Sequence, residues 1–260
     1  MNMSGNAILI TGGTSGIGFE LAAQLLALGN TVIITGRHQA KLDRIKAEHP
    51  LLHAIQSDVS DPHAIAALYE RVTREFPSLN ILINNAGIMR KINLQDQGAD
   101  LEDVSREIET NLMGPVRMVK QFLPQLKAQA NSAIVNVSSG LAFTPFPISP
   151  VYGATKAGLH SFTQALRVQL KNTNIEVLEL APPSTETALQ DVFDAADTKG
   201  VPMMDVKKLV QLAIKGMQKD QLEILPGFSK VLKLMSRIAP NLMVKATSGS
   251  MDAMLAQTRR

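Results

Sequence analysis

The 260-residue chain has no cysteine, which excludes disulfides, thiolate nucleophiles and thiolate-bound metals. That fits a reducing compartment, and the cytoplasm is the expected location. The chain also lacks an apolar run of the roughly 18 residues that a membrane-spanning helix needs, so no transmembrane segment is expected. Its opening, MNMSGNAILITGG, has no basic stretch followed by a long apolar one, and no signal peptide is expected. Neither sign of charge prevails: 26 Lys and Arg against 23 Asp and Glu leave +3, with no basic run. Nucleic acid is therefore not an expected partner, although a mild positive bias suits an anionic cofactor. The five histidines (His38, His49, His53, His63, His160) show no ligand spacing with one another or with carboxylates, and no metal is expected. No repeat, low-complexity tract or Gly/Ser-rich linker divides the sequence, so residues 1–260 read as one domain.

What remains is an ordinary globular composition, 45% hydrophobic and 19% charged. Short runs rich in Ile, Val and Leu at 7–11, 31–35, 53–56, 80–84, 133–137, 175–180 and 222–225 read as strands. Several are apolar on consecutive residues, as strands covered on both faces are. Between them lie helical patterns at 17–28, after Asp61-Pro62, at 100–129 and at 152–171. This βα alternation predicts an α/β fold of the doubly wound Rossmann type, a parallel sheet with helices on both faces. The pattern loosens after Pro182. Residues 188–221 read as two short helices forming a substrate-loop region, and 228–260 as a C-terminal extension that Pro240 interrupts.

The first strand runs directly into Thr11-Gly12-Gly13-Thr14-Ser15-Gly16-Ile17-Gly18, and a helix follows at once. Glycines let the backbone turn sharply and approach a pyrophosphate, whose charge is favoured at a helix N-terminus. Placement between a strand and a helix makes Gly12, Thr14, Ser15, Gly16, Ile17 and Gly18 candidate cofactor-binding residues. Where an acidic residue would hold the ribose 2′-hydroxyl of NAD, the second strand ends in Thr35-Gly36-Arg37. An acid would repel a 2′-phosphate, whereas Arg37 can pair with it, so NADP(H) is expected in preference to NAD(H).

Tyr152 and Lys156 lie four residues apart on a predicted helix and share a face. Bringing a tyrosine from about 10 to near neutrality takes roughly 4 kcal/mol. A cation about 4 Å away supplies that much at an effective dielectric of about 20. The Ser138-Ser139-Gly140 segment closes the fifth strand, at the sheet edge where open α/β folds bind ligands, and a hydroxyl there can hold a substrate oxygen.

With these residues in place the chain resembles the short-chain dehydrogenase/reductase family over almost all of residues 5–227. The motifs are TGGTSGIG (11–18), DVS (58–60), NNAG (84–87), ETNLMG (109–114), VNVSSG (135–140) and YGATK (152–156), in order and at family spacing. Within the family it is similar to the DltE-like group. The resemblance implies a seven-stranded parallel sheet of order 3-2-1-4-5-6-7 and hydride transfer between nicotinamide and a small carbonyl or alcohol. It implies Tyr152 as acid/base, Lys156 lowering its pKa and holding the nicotinamide ribose, Ser139 positioning the substrate oxygen, and Asn111 holding a relay water. Asp58 and Val59 would contact adenine, and Asn85, Ala86 and Gly87 the adenine ribose. A homodimer or homotetramer is implied. The family's Pro-Gly after the sixth strand is here Pro182-Pro183, with Thr185 and Thr187 as candidates for holding the carboxamide. Leu141, Phe143, Phe146 and Ile148, with Phe193, Met203 and Met204 opposite, suggest an apolar substrate pocket. A catalytically idle NADP(H)-binding sensor or regulator is the alternative. Intact Ser139, Tyr152, Lys156 and Asn111 favour the enzyme.

Overall fold

A computed structural model describes the chain except residues 97–99, 195–196, 198–199 and 259–260. Seven parallel strands form one sheet: β1 (Ala7–Ile10), β2 (Thr31–Gly36), β3 (His53–Gln56), β4 (Leu79–Asn84), β5 (Ser132–Val137), β6 (Ile175–Leu180) and β7 (Glu223–Ile224). Their order is β3-β2-β1-β4-β5-β6-β7, as expected. The central β1 and β5 are buried at every residue, which is why β1 and residues 133–135 of β5 read as apolar runs.

The period of two along each strand builds two cores. On one face Ile8, Ile10, Val32, Ile34, Ile83, Val135 and Leu180 meet Leu21 and Leu25 of α1 (Gly16–Ala27) and Leu42 of α2 (Gln39–Glu48). Val210, Ala213 and Met217 of α7 (Val206–Gln218) complete that layer. On the other face Leu9, Ile33, Leu82, Ile134 and Val177 meet α3 (Pro62–Glu75), α5 (Gly114–Ala128) and α6 (Pro150–Gln169) through Leu68, Phe122 and Leu166. As read from sequence, Asp61 caps α3, accepting from the His63 N–H at 2.8 Å, with Pro62 following.

Two readings need correction. The expected helix over 100–129 is α4 (Leu101–Ile108), a π-helical turn (Glu109–Met113) and α5. Pro115 has no N–H to donate one turn back, so the ladder widens there. Residues 188–221 hold a 3₁₀ turn (Ala188–Gln190) and one 13-residue helix, α7, which belongs to the sheet packing rather than to a loop. In the extension, α8 (Ser229–Ile238) and α9 (Pro240–Thr258) meet at Pro240. No helix among the described residues is long and apolar enough to cross a membrane.

Candidate active site

The strand order reverses at β1, flanked by β2 and β4, and such a switch point opens a crevice beyond the carboxyl ends of the strands. There the backbone leaves β1 through Gly12 (φ +66°) and Gly16 (φ +54°), both left-handed. At Gly12 a Cβ would lie 2.7 Å from Cα of Ala86, and at Gly18 2.3 Å from the Gly12 carbonyl oxygen. Only glycine permits this packing. Ser15 caps α1 without a side-chain hydrogen bond, and no acid stands in the first turn. The helix therefore presents its first N–H groups unmasked to an anion.

Asn85 braces this loop. Its amide nitrogen donates to the carbonyls of Thr11 (3.0 Å) and Gly12 (3.1 Å), while Thr11 Oγ1 accepts from the N–H groups of Asn85 and Ala86. Asn85 lines the crevice as expected, but its amide is already engaged.

One cavity of about 510 Å³ runs from the loop to the catalytic group. It joins Gly12, Thr14, Ser15, Gly16, Ile17, Arg37, Asp58, Val59, Asn85, Ala86, Gly87, Ser139, Tyr152, Lys156, Thr185 and Thr187. Gly18 and Asn111 do not line it: the first packs under the loop, and the second is buried behind the catalytic residues. Arg37 is exposed at the rim, its Nε 3.2 Å from His38 Nε2. Lys41, one turn into α2, lines the same rim and escaped the sequence reading. Its signal was a second cation four residues after Arg37. Asp58 Oδ1 accepts from both N–H and Oγ of Ser60, which fixes the turn below β3.

Tyr152 and Lys156 lie buried on α6, with Lys156 Nζ 5.7 Å from the Tyr152 ring centroid. Nζ donates to the Val137 carbonyl at 2.9 Å. Ser139 caps a 3₁₀ turn (Gly140–Ala142), accepting from the Leu141 N–H at 3.1 Å. Burial pushes the Tyr152 phenol up to about 12, with a Ser139 hydrogen bond lowering it and Glu107 raising it. Burial brings Lys156 down to about 8, against an opposing pull from Glu179. Both groups have lost their water, which disfavours phenolate and ammonium alike.

Asn111 occupies the π-helical turn, a frequent device at functional sites. Its Oδ1 accepts from the Ile88 N–H (2.8 Å), and its Nδ2 donates to the Ile88 carbonyl (2.8 Å) and to Thr155 Oγ1 (3.2 Å). A Cβ at Gly87 would stand 3.3 Å from Asn111 Oδ1 and 3.6 Å from Lys156 Nζ, so this glycine keeps the space between them open. Beyond β6, the buried Thr185 donates its hydroxyl to the Pro183 carbonyl at 2.8 Å. Thr187 packs against Gly16.

Of the expected apolar wall, Leu141, Phe146 and Phe193 line the cavity, the two phenylalanine rings meeting edge-on at 5.7 Å. Ile148 is fully buried core, Met203 is exposed away from the main cavity, and Met204 is bridged to Thr185 and fills space at Gly227. Phe143 packs edge-on against His160 with Lys233 over its ring. Phe228 and Leu232, beside and within α8, complete the wall. Their spacing of four marks them as one helix face. The absence of ligand spacing among histidines also missed a cluster. His160, Glu179 and Glu223 offer ligand atoms within 4.8 Å of one another, because α6, β6 and β7 bring together residues far apart in sequence.

A family model described as short chain dehydrogenase matches residues 6–198. The uncharacterized oxidoreductase DltE of Bacillus subtilis (strain 168) is 44% identical over 226 residues, 86% of this chain and 89% of that protein. A short chain dehydrogenase from Burkholderia cenocepacia J2315, solved in complex with NADP, matches with TM-score 0.81 at 22% identity, over 95% of this chain and 99% of that one. A short chain dehydrogenase/reductase from Burkholderia phymatum, in complex with NAD, matches with TM-score 0.79 at 20% identity, over 91% of this chain and 95% of that one.

Proposed function

The chain belongs to the short chain dehydrogenase family, as a DltE-like oxidoreductase, and we propose that it is an NADP(H)-dependent reductase or dehydrogenase of apolar carbonyls or secondary alcohols. The observation that carries this reading is the continuity of one cavity from the glycine cradle to Tyr152, Lys156 and Ser139. The cradle fits a dinucleotide. A Cβ at Gly12 or Gly18 would fill it, and the α1 N-terminus is left free for a pyrophosphate. Bound there, the dinucleotide supplies or accepts the hydride.

The protein's own residues do the rest. Ser139 and the Tyr152 hydroxyl hold the substrate oxygen, and Tyr152 gives it a proton in reduction or takes one in oxidation. Lys156 holds positive charge beside the phenol and contacts the nicotinamide ribose. Asn111 holds a relay water that carries the proton onward. Arg37 and Lys41 pair with the 2′-phosphate, and Asp58 and Val59 flank the adenine. Thr185 and Thr187 hold the carboxamide. Leu141, Phe146, Phe193, Phe228 and Leu232 exclude water and select an apolar substrate. The protein works in the cytoplasm as a homo-oligomer.

Tyr152→Phe tests the reading. Turnover of NADPH with a panel of apolar ketones should fall by about 10²–10⁴-fold, while calorimetric NADPH affinity stays near wild type. Undiminished turnover in the variant would remove Tyr152 from the chemistry. A wild type that binds NADPH yet turns over no carbonyl or alcohol would favour a sensor instead.

A further inference from the structure

Behind the serine loop lies a carboxylate that the proposed reaction does not use. Glu179 on β6 is fully buried, and a buried charge needs partners at both oxygens. It has them. Ser138 Oγ donates to Oε1 at 2.5 Å, and His160 Nδ1 meets Oε2 at 2.7 Å. On the far side of the imidazole, the Gln164 amide nitrogen is 3.1 Å from Nε2. Gln164 thus holds the ring in the orientation that turns Nδ1 toward Glu179. The other carboxylate in the cluster, Glu223 on β7, is paired with Lys233 of α8, which serves as its cation in place of a metal.

The charges then sort themselves. Tyr152, Lys156 and His160 face this region from α6, Glu107 faces Tyr152 from α4, Glu223 stands on β7 and Lys233 on α8. Glu223 and Lys233 pair with each other. Glu179 is left as the counter-charge of Lys156, which lies one helical turn from His160 and donates to Val137, next in the chain to Ser138.

We propose that Glu179 is a positioning residue of the reaction: through Ser138 and His160 it fixes the loop that carries Ser139, and it serves as the counter-charge of the buried Lys156. This rests on the roles assigned above to Ser139 and Lys156. The electrostatics agree, since burial draws Lys156 down and Glu179 is what pulls it back up.

The test is a double-mutant cycle in the full-length protein with Glu179→Gln, Lys156→Met and the pair, read by thermal unfolding at pH 7, with the pH profile of turnover as a second reading. Glu179→Gln should lower Tm by several degrees, because it strands the ammonium. In the Lys156→Met background the same change should lower Tm by less than about half as much, a non-additivity expected of coupled groups. Glu179→Gln should also move the high-pH limb of kcat/KM down by about one unit, as loss of a neighbouring opposite charge does, with NADPH affinity at pH 6 unchanged. If Glu179→Gln does not fold, the double variant should, and failure of both overturns the proposal. Additive Tm losses, or a folded Glu179→Gln whose pH limb stays in place, overturn it as well. A non-additive cycle in a protein that turns over no carbonyl keeps the charge pairing and removes the enzymatic reading instead.

Discussion

Two left-handed glycines separate backbone strain from close approach. Gly12 (φ +66°) and Gly29 (φ +81°) both adopt a conformation that L side chains rarely take. Gly29 ends α1 with nothing within 4 Å of the position a Cβ would take, whereas at Gly12 that atom would sit 2.7 Å from Cα and 3.1 Å from N of Ala86. Gly29→Ala should therefore carry only the conformational penalty, about 1–2 kcal/mol. Gly12→Ala adds an overpacking penalty of about 1–3 kcal/mol, because the obstructing atoms are backbone and cannot rotate away. For a chain of this size each kcal/mol moves Tm by about 2–4 °C, so Gly12→Ala should melt several degrees below Gly29→Ala. Calorimetric titration with NADPH gives the functional half. Gly29 does not line the cavity and its variant should bind normally. Pushing the loop off Ala86 should weaken binding at least about tenfold, or about 1.4 kcal/mol. Equal Tm losses in the two variants, or a Gly12→Ala protein with wild-type affinity, would refute the claim that close approach rather than φ alone requires the first glycine.

Other consequences are as direct. Arg37→Ala combined with Lys41→Ala should reduce NADPH affinity by about tenfold to thirtyfold, a value below that of buried charge-assisted hydrogen bonds because both groups are exposed; NADH affinity should be unchanged, and an equal loss for both cofactors would exclude 2′-phosphate recognition. Lys156 is brought below its usual range to about 8, so the folded protein binds fewer protons than the unfolded chain between about 8 and 10.5, and this residue's penalty is largest below 8 and fades as pH rises. Cofactor-free Lys156→Met should accordingly be more stable than wild type at pH 7, by up to about 3 kcal/mol, with the gap narrowing from pH 8 to 10 in denaturant titrations; a gap independent of pH would contradict the shift. Phe228→Ala should raise KM for bulky apolar ketones about fivefold, from the half of its ring that burial protects, and leave small polar aldehydes unaffected.

The strands were legible in the sequence because local rules dictate them, while their order and most of the roles around the cavity came from the resemblance to the family. Consecutive apolar residues at 7–10 and 133–135 read as strands covered on both sides, and a glycine loop between strand and helix reads as a phosphate cradle. What escaped depended on contacts between distant segments. The break in the 100–129 helix was signalled by Pro115, yet a proline near a helix start is also ordinary, and only the packing of Gly114 against Val59 settles which holds. Phe143 and Ile148 share the apolar character of Phe146, and nothing local tells a pocket wall from core.

Glu179 is the sharpest case. In the strand IEVLEL the alternation puts residue 179 on the same face as Ile175 and Val177, both buried, and Glu176 on the other face, where it is exposed. Parity puts Glu179 on the face beneath α6; Leu178 and Leu180 on the face of Glu176 are buried too, so Glu176 is exposed by its place near the start of the strand. A charged residue on the inward parity of a central strand is costly unless something answers it. The helix that must cover that face carries Lys156, His160 and Gln164, four residues apart in succession. Strand parity and helix period together therefore specify which side chains meet, even though the residues lie about twenty positions apart in the chain. The buried carboxylate and the lysine that the proposed chemistry depends on are in this sense one feature, written across two elements that neither motif nor composition joins.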